Sequence, residues 1–359
     1  MAERLKNMFF TQESMTEFAD AIRKVYPEFD TGSFKERVFD ETFEDKEVKD
    51  RMSHTTRCLQ QFLPGSYPDA LEVLVGAAAH VKGFEAMCLP DYIAQFGLDE
   101  WDLSLDALGR IGRRITGELA IRPFLAKDPE RVLPYLKSWS EDESRQLRRL
   151  ASEGTRPRLP WAMALPRFKK DPRMILPLLE KLKDDESEDV RRSVANHLND
   201  ISKDNPDIAL EVCTGWYGQS ENTDRIVKHA CRTLLKAGDK RALQIFGYSD
   251  PSTMRVENLR LEHGTIAIGD DLRVTYDLIF EEGGKARLEY AVSYVKANGK
   301  QSRKVFKQTE NEYAPGTYSF KRRHSFADMS TRKHYPGTHR VEIVVNGEEK
   351  ASADFEVTR

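Results

Sequence analysis

Three acidic residues stand among basic neighbours at helical spacing, and their carboxylates could serve one reaction. The groups are Arg114, Glu118 and Arg122 at i, i+4 and i+8; Arg149 and Glu153 at i and i+4, with Arg156 three residues on; and Arg192, Asn196 and Asp200 at i, i+4 and i+8. Each spacing predicts a polar stripe on a helix face that lines a groove. The alternative is an ordinary i, i+4 ion pair, which stabilises a helix by roughly a few tenths of a kcal/mol.

A tryptophan follows the second of these groups in the segment RRLASEGTRPRLPWAMALP, residues 148–166. Gly154 and Pro157 interrupt the helix that carries Glu153, and Trp161 then lies between two prolines. A loop with arginines, a glutamate and a tryptophan is poorly explained as one more plain helical unit. Packing of the Trp161 ring in the core is the alternative.

Carboxylates in a basic groove suit the cleavage of an N-glycosidic bond to an alkylated purine. The positive charge of such a base makes it a good leaving group, and the sugar gains oxocarbenium character as the bond breaks. A carboxylate can stabilise that cation and position a water molecule. A tryptophan face attracts a cationic base or sugar. The pattern alone leaves this chemistry as one option among several.

Positive charge is concentrated in two segments of a chain whose formal net charge is -3. Residues 145–173 hold nine basic and two acidic residues, and residues 296–340 hold eleven basic and three acidic ones. Such clusters are expected of a protein that binds a phosphate backbone, although a solvated charged surface has the same composition. The densest run, Lys321-Arg322-Arg323-His324, is predicted to lie on a strand end or loop.

Residues 12–248 have the apolar periodicity of α-helices. A clear example is the set Val190, Val194, Leu198 and Ile201. Part of this region also repeats: the segment that begins at Pro129 resembles the segment that begins at Pro172, 43 residues later, and Asp142-Glu143-Ser144 recurs as Asp185-Glu186-Ser187. A two-helix unit of about forty residues is the period of HEAT-type arrays, so we predict an α-helical HEAT-like-repeat solenoid.

After about residue 255 the apolar period changes to two, which is typical of β-strands. The residues Leu272, Val274, Tyr276, Leu278 and Phe280 alternate along one such strand, and Asn346-Gly347 predicts a hairpin turn. About seven short strands in about 100 residues predict an immunoglobulin-like β-sandwich. The predicted fold class is therefore multidomain α and β, with a helical domain over residues 1–253 and a β-sandwich over residues 254–359.

Other classes of protein are disfavoured. The cysteines Cys58, Cys88, Cys213 and Cys231 lack the spacing of a zinc site, and we expect reduced, mostly buried thiols of a cytoplasmic protein. No stretch approaches the ~20 apolar residues of a membrane span, and Met1–Phe10 has no signal-peptide core. We predict no metal site, no cofactor and no membrane association.

Four segments resemble the AlkC-type branch of the HEAT-like-repeat DNA alkylation repair enzymes. They are TGELAIRPFL (116–125), RRLASEGTRPRLPW (148–161), VRRSVANHLNDISKDNPD (190–207) and EVKDRMSHTTRCLQQFLPGSYPDALEVL (47–74). The resemblance covers the helical domain, and the β-domain resembles the immunoglobulin-like domain of some members. It implies a monofunctional DNA glycosylase that excises small cationic bases, chiefly N3-methyladenine, from bent duplex DNA without base flipping. We expect a monomer.

Carried over motif by motif, the resemblance implies four catalytic residues: Glu118, Glu153, Trp161 and Asp200. Glu153 and Asp200 would stabilise the sugar cation and position water, Glu118 would support them, and Trp161 would contact the base or deoxyribose. The DNA-binding candidates are Arg149, Arg156, Arg158, Arg192, Lys321, Arg322 and Arg323. Leu119 departs from the aromatic residue expected in many relatives, which changes the local shape of the site.

Two other functions fit part of the pattern. A non-catalytic HEAT-type scaffold that binds DNA or protein would use the same three carboxylates only as ion-pair partners. A glycan-active enzyme could also combine paired carboxylates with a β-sandwich. The basic segments and the lack of a secretion signal argue against the glycan-active enzyme.

Overall fold

The structure is a computed structural model that describes residues 8–329 and 332–359. Sixteen α-helices lie in that part of the chain. In chain order they are α1 Gln12–Arg23, α2 Thr31–Val38, α3 Val48–Gln60, α4 Tyr67–Ala77, α5 Cys88–Phe96, α6 Trp101–Gly112, α7 Arg122–Lys127, α8 Pro129–Ser140, α9 Arg145–Glu153, α10 Pro166–Lys170, α11 Leu176–Leu182, α12 Glu188–Asp204, α13 Pro206–Trp216, α14 Glu221–Ala230, α15 Arg232–Ala237 and α16 Lys240–Ile245.

Eight β-strands follow the helices within the described residues. They are β1 Met254–Leu261, β2 Thr265–Ala267, β3 Asp271–Phe280, β4 Gly284–Val295, β5 Gln301–Tyr313, β6 Gly316–Ser325, β7 Gly337–Val345 and β8 Glu348–Thr358. Short 3-10 turns occur at Phe43–Asp45, Phe84–Met87, Arg173–Ile175 and Pro251–Thr253.

Side-chain caps and apolar faces explain where the helices form. The hydroxyl of Thr11 accepts the N–H of Ser14 and the hydroxyl of Ser14 accepts the N–H of Thr11, which is a capping box for α1. Asp30 is the residue directly before α2, and its carboxylate accepts the N–H groups of Gly32 and Ser33 at the start of that helix. In α12, the predicted apolar face is fully buried; it comprises Val190, Val194, Leu198 and Ile201. The helical periodicity of this region is therefore confirmed.

The predicted repeat has a structural counterpart in a shared set of hydrogen bonds. Arg148 donates to the backbone carbonyls of Asp142-Glu143, and Arg191 donates to those of Asp185-Glu186. In both copies the aspartate carboxylate also accepts a serine N–H at 2.8 Å. Arg148 pairs in addition with the Asp185 carboxylate at 2.6 Å. The same residues thus shape each unit and join it to the next, as in a HEAT-like array.

The strands form two sheets around one apolar core. One sheet has the order β1-β3-β6 and the other the order β2-β8-β7-β4-β5. All neighbouring strands are antiparallel except β2 and β8, which are parallel. The alternating apolar residues of β3 are buried against residues of β4, β7 and β8, so both sheets contribute to the core. The β-sandwich prediction is confirmed, with eight described strands instead of about seven.

Two compact units divide the chain. The helical unit comprises the residues up to Ala209 together with Gly218–Ala230, and the β-unit comprises Leu210–Tyr217 and Cys231–Arg359. The β-unit thus contains most of α13 together with α15 and α16, besides the strands. Lys285 of β4 donates to the carbonyl of Phe246 at 3.0 Å, just after α16. The boundary between residues 253 and 254 remains a prediction from the change of period.

The four cysteines are buried free thiols, in agreement with the prediction. None of the helices within 8–329 and 332–359 combines the length and the apolar character needed to cross a lipid bilayer.

Two glycines of the β-unit touch where the turn after α15 meets the β7–β8 hairpin. Gly238 has φ of +73° and Gly347 has φ of +80°, and a Cβ on Gly238 would lie 2.7 Å from the carbonyl oxygen of Gly347. A Cβ on Gly347 would overlap the Cα of Gly238. Each position therefore needs glycine for both its conformation and its space.

We predict that Gly347→Ala destabilises the β-unit, because alanine adds a backbone collision to the strain of positive φ. Gly299→Ala is the matched control, since Gly299 has φ of +73° but faces open space. Overpacking should cost Gly347→Ala about 1–3 kcal/mol more than the control. Thermal denaturation of the full chain measures this, and equal melting temperatures for the two variants would show that the contact contributes nothing.

Candidate active site and nucleic-acid interface

A buried arginine joins two carboxylates in the helical unit. Arg156 Nη1 donates to Glu153 Oε1 at 2.6 Å, and Arg156 Nε donates to Asp200 Oδ2 at 2.9 Å. Glu153 ends α9 and Asp200 lies in α12, so this network links two repeats. Burial alone would lower the pKa of Arg156, but the two carboxylates outweigh burial and raise it. The guanidinium therefore stays charged.

The face of α12 that carries Asp200 supports Glu153 in two further ways. Ser193 Oγ donates to Glu153 Oε2 at 2.6 Å, so both oxygens of this carboxylate have a fixed partner. His197 Nδ1 lies 3.1 Å from the carbonyl oxygen of Ser152, one residue before Glu153. Burial, reinforced by the positive charge of Arg156, lowers the pKa of His197 to about 3. The imidazole is consequently neutral and holds the end of α9 without adding charge.

The prediction that Arg114, Glu118 and Arg122 lie on one face of a single helix is wrong. Helix α6 ends at Gly112 and α7 begins at Arg122, so Glu118 lies on the turn between them. A Cβ on Gly112 would lie 2.9 Å from the side chains of α9, which shows how closely the chain packs where α6 stops. Glu118 Oε2 accepts from Arg149 Nη1 at 3.0 Å. Arg149 also lies 3.8 Å from Glu153 Oε1, so it bridges Glu118 and Glu153.

Arg122 is fully buried and does not line a groove. Its Nη1 donates to the carbonyl oxygens of Gly154 and Arg156 at 2.9 Å, and its Nε donates to that of Met163 at 2.7 Å. Burial, together with the positive charge of Arg156, lowers the pKa of Arg122 to about 10. The side chain thus remains charged at neutral pH and fixes the main chain that follows α9.

Trp161 is not a core residue, since it is 56% exposed. Its backbone has φ of +66°, a left-handed conformation that costs energy for a bulky residue. Lys49 Nζ donates to its carbonyl oxygen at 2.8 Å, and its ring meets Phe84 edge to face at 6.3 Å. The surrounding contacts therefore hold a strained backbone that presents the indole to solvent.

Most of these groups meet at one cleft of about 590 Å³ in the helical unit. Glu118, Glu153 and Trp161 line it together with Arg156. The other lining residues are Phe9, Gly83, Phe84, Met87, Thr116, Leu119, Leu159 and Pro160. Asp200 is only 1% exposed and lies behind Arg156. The structure thus brings three predicted catalytic residues to one surface and places the fourth behind them.

The arginines predicted to bind DNA in the helical unit differ in accessibility. Arg158 and Arg192 are exposed, and they pair with Asp204 at 2.6 Å and Glu188 at 2.7 Å. Surface pairs of this kind are weak enough to exchange for a phosphate. Arg156 is buried between two carboxylates, and its phosphate contact stays a prediction. The stripe from Arg192 to Asp200 likewise runs from solvent into the interior.

The basic run of the β-unit lies within a strand and not at its end or in a loop. Lys321, Arg322 and Arg323 belong to β6, the edge strand of the three-stranded sheet, so their side chains alternate between two faces. Lys321 and Arg323 are exposed. Arg322 points inward and stacks over the Tyr290 ring, with 4.9 Å between its Cζ and the ring centroid. Only two of the three cations can therefore face a partner outside the β-unit.

Sequence reasoning missed Ser193, His197 and the aromatic wall of the cleft. Ser193, His197 and Asp200 lie at i, i+4 and i+7, so the helical spacing of their polar side chains could have grouped them. Phe84 and Phe9 gave no such indication. Their rings lie 4.8 Å apart although the residues are distant in the chain, and only the tertiary fold joins them.

Known proteins share this architecture over its whole length. The "Uncharacterized protein YhaZ" of Bacillus subtilis is 42% identical over 349 residues, which is 97% of this chain and 98% of the relative. A solved structure of the alkylpurine DNA glycosylase AlkC of Pseudomonas fluorescens, bound to DNA containing an abasic site analogue, superposes with a TM-score of 0.93 at 36% identity and covers 99% of each chain. The chain belongs to the AlkC-type family of DNA alkylation repair enzymes.

Two family models match separate parts of the AlkC-type chain, one in its helices and one in its strands. Residues 118–212 match the "DNA alkylation repair enzyme" model, and residues 255–359 match the "Uncharacterised protein YhaZ, C-terminal Ig-like domain" model. The first match contains Glu118, Glu153, Trp161 and Asp200. The resemblance inferred from four sequence segments and the immunoglobulin-like character of the β-sandwich are both confirmed.

We predict that His197 makes the helical unit sensitive to acid. The unfolded imidazole titrates near its ordinary pKa of 6.5, whereas the folded one has a pKa of about 3. Between these values the unfolded state binds one more proton, so the free energy of unfolding falls as the pH is lowered from 6.5 towards 3, by about 1.4 kcal/mol per pH unit.

His197→Asn should remove that contribution, while His263→Asn, at an exposed position in the β-unit, should not. Urea denaturation of the full chain at several pH values, followed by the helical circular dichroism signal, measures the difference. An unchanged pH dependence in His197→Asn would mean that this imidazole binds its proton at the same pH in the folded protein as in the unfolded one.

Proposed function

We propose that the chain is a monofunctional DNA glycosylase. It hydrolyses the N-glycosidic bond of small cationic alkylated bases in duplex DNA, chiefly N3-methyladenine, without flipping the base and without a cofactor. The observation that carries this proposal is the cleft in which Glu118 and Glu153 lie beside the exposed ring of Trp161. The relationship to an alkylpurine DNA glycosylase supports the same substrate class.

Two carboxylates at the surface of the cleft favour a cationic substrate. Its lining contains two carboxylates, Glu118 and Glu153, and one cation, Arg156. Arg156 is also shared with Asp200, and Arg149 pairs with Glu118 and lies 3.8 Å from Glu153, so the cleft presents fixed carboxylate oxygens whose charge is balanced by guanidinium groups. A purine methylated at N3 carries a positive charge that these carboxylate oxygens attract, and the indole face of Trp161 adds cation–π attraction.

The reaction needs little acid catalysis. When the bond between C1′ and N9 breaks, its electron pair moves to the base, which leaves as neutral 3-methyladenine. The deoxyribose becomes oxocarbenium-like, and the fixed carboxylate of Glu153 stabilises that charge. Water then attacks C1′ and loses a proton to Glu153 or solvent, which leaves an abasic site. Ser193 and Arg156 each bond one carboxylate oxygen, so Glu153 is oriented before the substrate arrives.

Asp200 acts through Arg156. Its carboxylate is buried and bonds Arg156 Nε and Lys203 Nζ, at 2.9 and 3.0 Å. We therefore assign Asp200 as the positioning residue that keeps Arg156 in place. Glu118, which accepts a hydrogen bond from Arg149, adds a second carboxylate to the lining of the cleft.

Exposed basic residues would hold the duplex on both units. Arg158 and Arg192 serve this role in the helical unit, and Lys321 and Arg323 in the β-unit. The remaining alternative is a non-catalytic scaffold that binds DNA or protein through the same surfaces and uses the buried carboxylates only for stability.

We predict that Glu153→Gln slows the release of 3-methyladenine from methylated duplex DNA by about 100-fold, the loss typical of removing one preorganised electrostatic group. Glu118→Gln should have a smaller effect, because Glu118 is not aligned by Ser193 and Arg156. Glu143→Gln is the matched control, since Glu143 is an exposed glutamate in the turn before α9. Single-turnover release, measured by chromatography of the freed base, gives the rates.

DNA affinity of each variant is measured in parallel. Glu153→Gln should bind an abasic duplex as the wild type does, because the carboxylate acts on the reacting sugar. Wild-type binding without any base release would favour the scaffold. Equal release by wild type and Glu153→Gln would remove Glu153 from the chemistry.

For the β-unit we predict that Lys321→Gln with Arg323→Gln weakens DNA binding and flattens its salt dependence. Each lost phosphate contact should lower the slope of log K against log salt by about 0.9. Arg322→Gln is the control within the same strand: it removes one positive charge from the inner face, whereas the double variant removes two from the outer face, so it should lower the melting temperature and leave the slope unchanged. A slope unaffected by the double variant would place β6 outside the interface.

A further inference from the structure

The lining of the cleft contains more apolar side chains than the proposed reaction uses. The reaction employs the carboxylates and gives a task to Trp161. The apolar lining residues are Phe9, Phe84, Met87, Leu119, Leu159, Pro160 and Trp161. An apolar surface beside two carboxylates suits a ligand that carries both a positive charge and apolar bulk.

Two phenylalanines form a continuous surface within this apolar lining. The rings of Phe9 and Phe84 lie 4.8 Å apart with 31° between their planes, and both residues are half-buried. Phe84 also meets the ring of Trp161 edge to face at 6.3 Å. The aromatic wall, which consists of Phe9 and Phe84, is therefore continuous with the indole that the proposed reaction uses.

A buried carboxylate joins the two halves of the aromatic wall. Glu85, the neighbour of Phe84, is only 4% exposed. Its Oε1 accepts the N–H of Phe10 at 2.7 Å and the hydroxyl of Ser14 at 2.6 Å. Phe10 and Ser14 are 75 and 71 positions away from Glu85 in the chain. One carboxylate thus ties the segment before α1 to the turn that carries Phe84.

The backbone of Phe10 is strained in a way that directs Phe9 to the cleft. Phe10 has φ of +58°, a left-handed conformation that costs energy for a bulky residue. Its ring is completely buried and meets Phe84 edge to face at 6.0 Å. Consecutive side chains of an extended chain point to opposite faces, but Phe9 and Phe10 both pack on Phe84. Such a conformation persists only where contacts enforce it, and here Glu85 and the buried ring do so.

We propose that Phe9 is a specificity-determining residue, which forms with Phe84 the wall that the alkyl group of the base meets and which limits the size of that group. Glu85 is the residue that positions Phe9. This inference rests on the proposed function, because it assumes that an alkylated base is the ligand of the cleft. A wall held in place by hydrogen bonds and a strained backbone yields little to a larger group. One methylene more or less in an apolar pocket typically changes the rate by about 10–200-fold.

Selection by size is tested with two lesions that differ by one carbon. Duplex DNA treated with radiolabelled dimethyl sulfate or diethyl sulfate carries N3-methyladenine or N3-ethyladenine, and single-turnover release of each base gives a ratio of rates. The wild type should release the methylated base faster. Phe9→Ala should lower this ratio by about tenfold, because the ethyl group can enter the space that the ring leaves. Phe9→Leu should lower it less.

Phe39→Ala is the matched control. Phe39 is also half-buried and lies 4.8 Å from the ring of Phe43, but it does not line the cleft, so its variant should keep the wild-type ratio. Glu153→Gln should slow the release of both bases alike, because it removes charge and leaves the wall intact. An unchanged ratio in Phe9→Ala would overturn the wall alone. A wild type that releases neither base would contradict the proposed function and the wall with it.

Glu85→Ala extends the test to the support of the wall. It should lower the ratio as Phe9→Ala does and speed amide hydrogen exchange at Phe10, whose N–H loses its acceptor. Glu85→Gln keeps an oxygen that can accept this N–H, so it should retain the wild-type ratio. Thermal denaturation shows that each variant is folded at the assay temperature. A wild-type ratio in folded Glu85→Ala would show that Glu85 does not position Phe9.

Discussion

The site depends on one buried charge, the guanidinium of Arg156, held between Glu153 and Asp200. Removing one partner of a buried ion pair typically lowers the free energy of unfolding by about 3–5 kcal/mol, because the remaining charge is buried away from water without a partner. This arginine therefore requires both carboxylates, and the carboxylates require it. Since they come from different repeats, the pairing also sets the distance between α9 and α12. This requirement holds the end of α9 against α12, and Arg122 fixes the main chain that follows α9.

The separate roles of the side chains in and around the cleft follow from that constraint. Glu153 is oriented by Ser193 and Arg156, so its negative charge is fixed without any reorganisation during the reaction. His197 is neutral, so it supports the end of α9 without adding a positive charge beside Glu153. A cationic base supplies its own leaving-group ability, and the protein needs only to stabilise the sugar that remains. A second guanidinium, Arg122, extends the same buried polar region to the loop that presents Trp161 and Met163.

Much of this molecule could be predicted from its sequence because its periodicities are local. The 43-residue offset and the alternation along β3 specify repeats and strands through spacing alone. The carboxylates were found for the same reason: they stand out among basic residues. Their partners were less visible, because Arg156 and Asp200 are 44 residues apart in the chain. The helical stripe around Glu118 was wrong, since α6 ends at Gly112 against α9. Alternation within β6 also turned Arg322 inward, which composition could not indicate.

The central claim is that the fixed carboxylates of the cleft select bases that already carry positive charge. The most direct measurement compares the rates at which the wild-type protein releases cationic N3-methyladenine and a neutral purine lesion such as hypoxanthine from otherwise identical duplexes. The account predicts release of the cationic base and little or none of the neutral one. Comparable rates for both would contradict it, because a neutral purine leaves only when an acid protonates it.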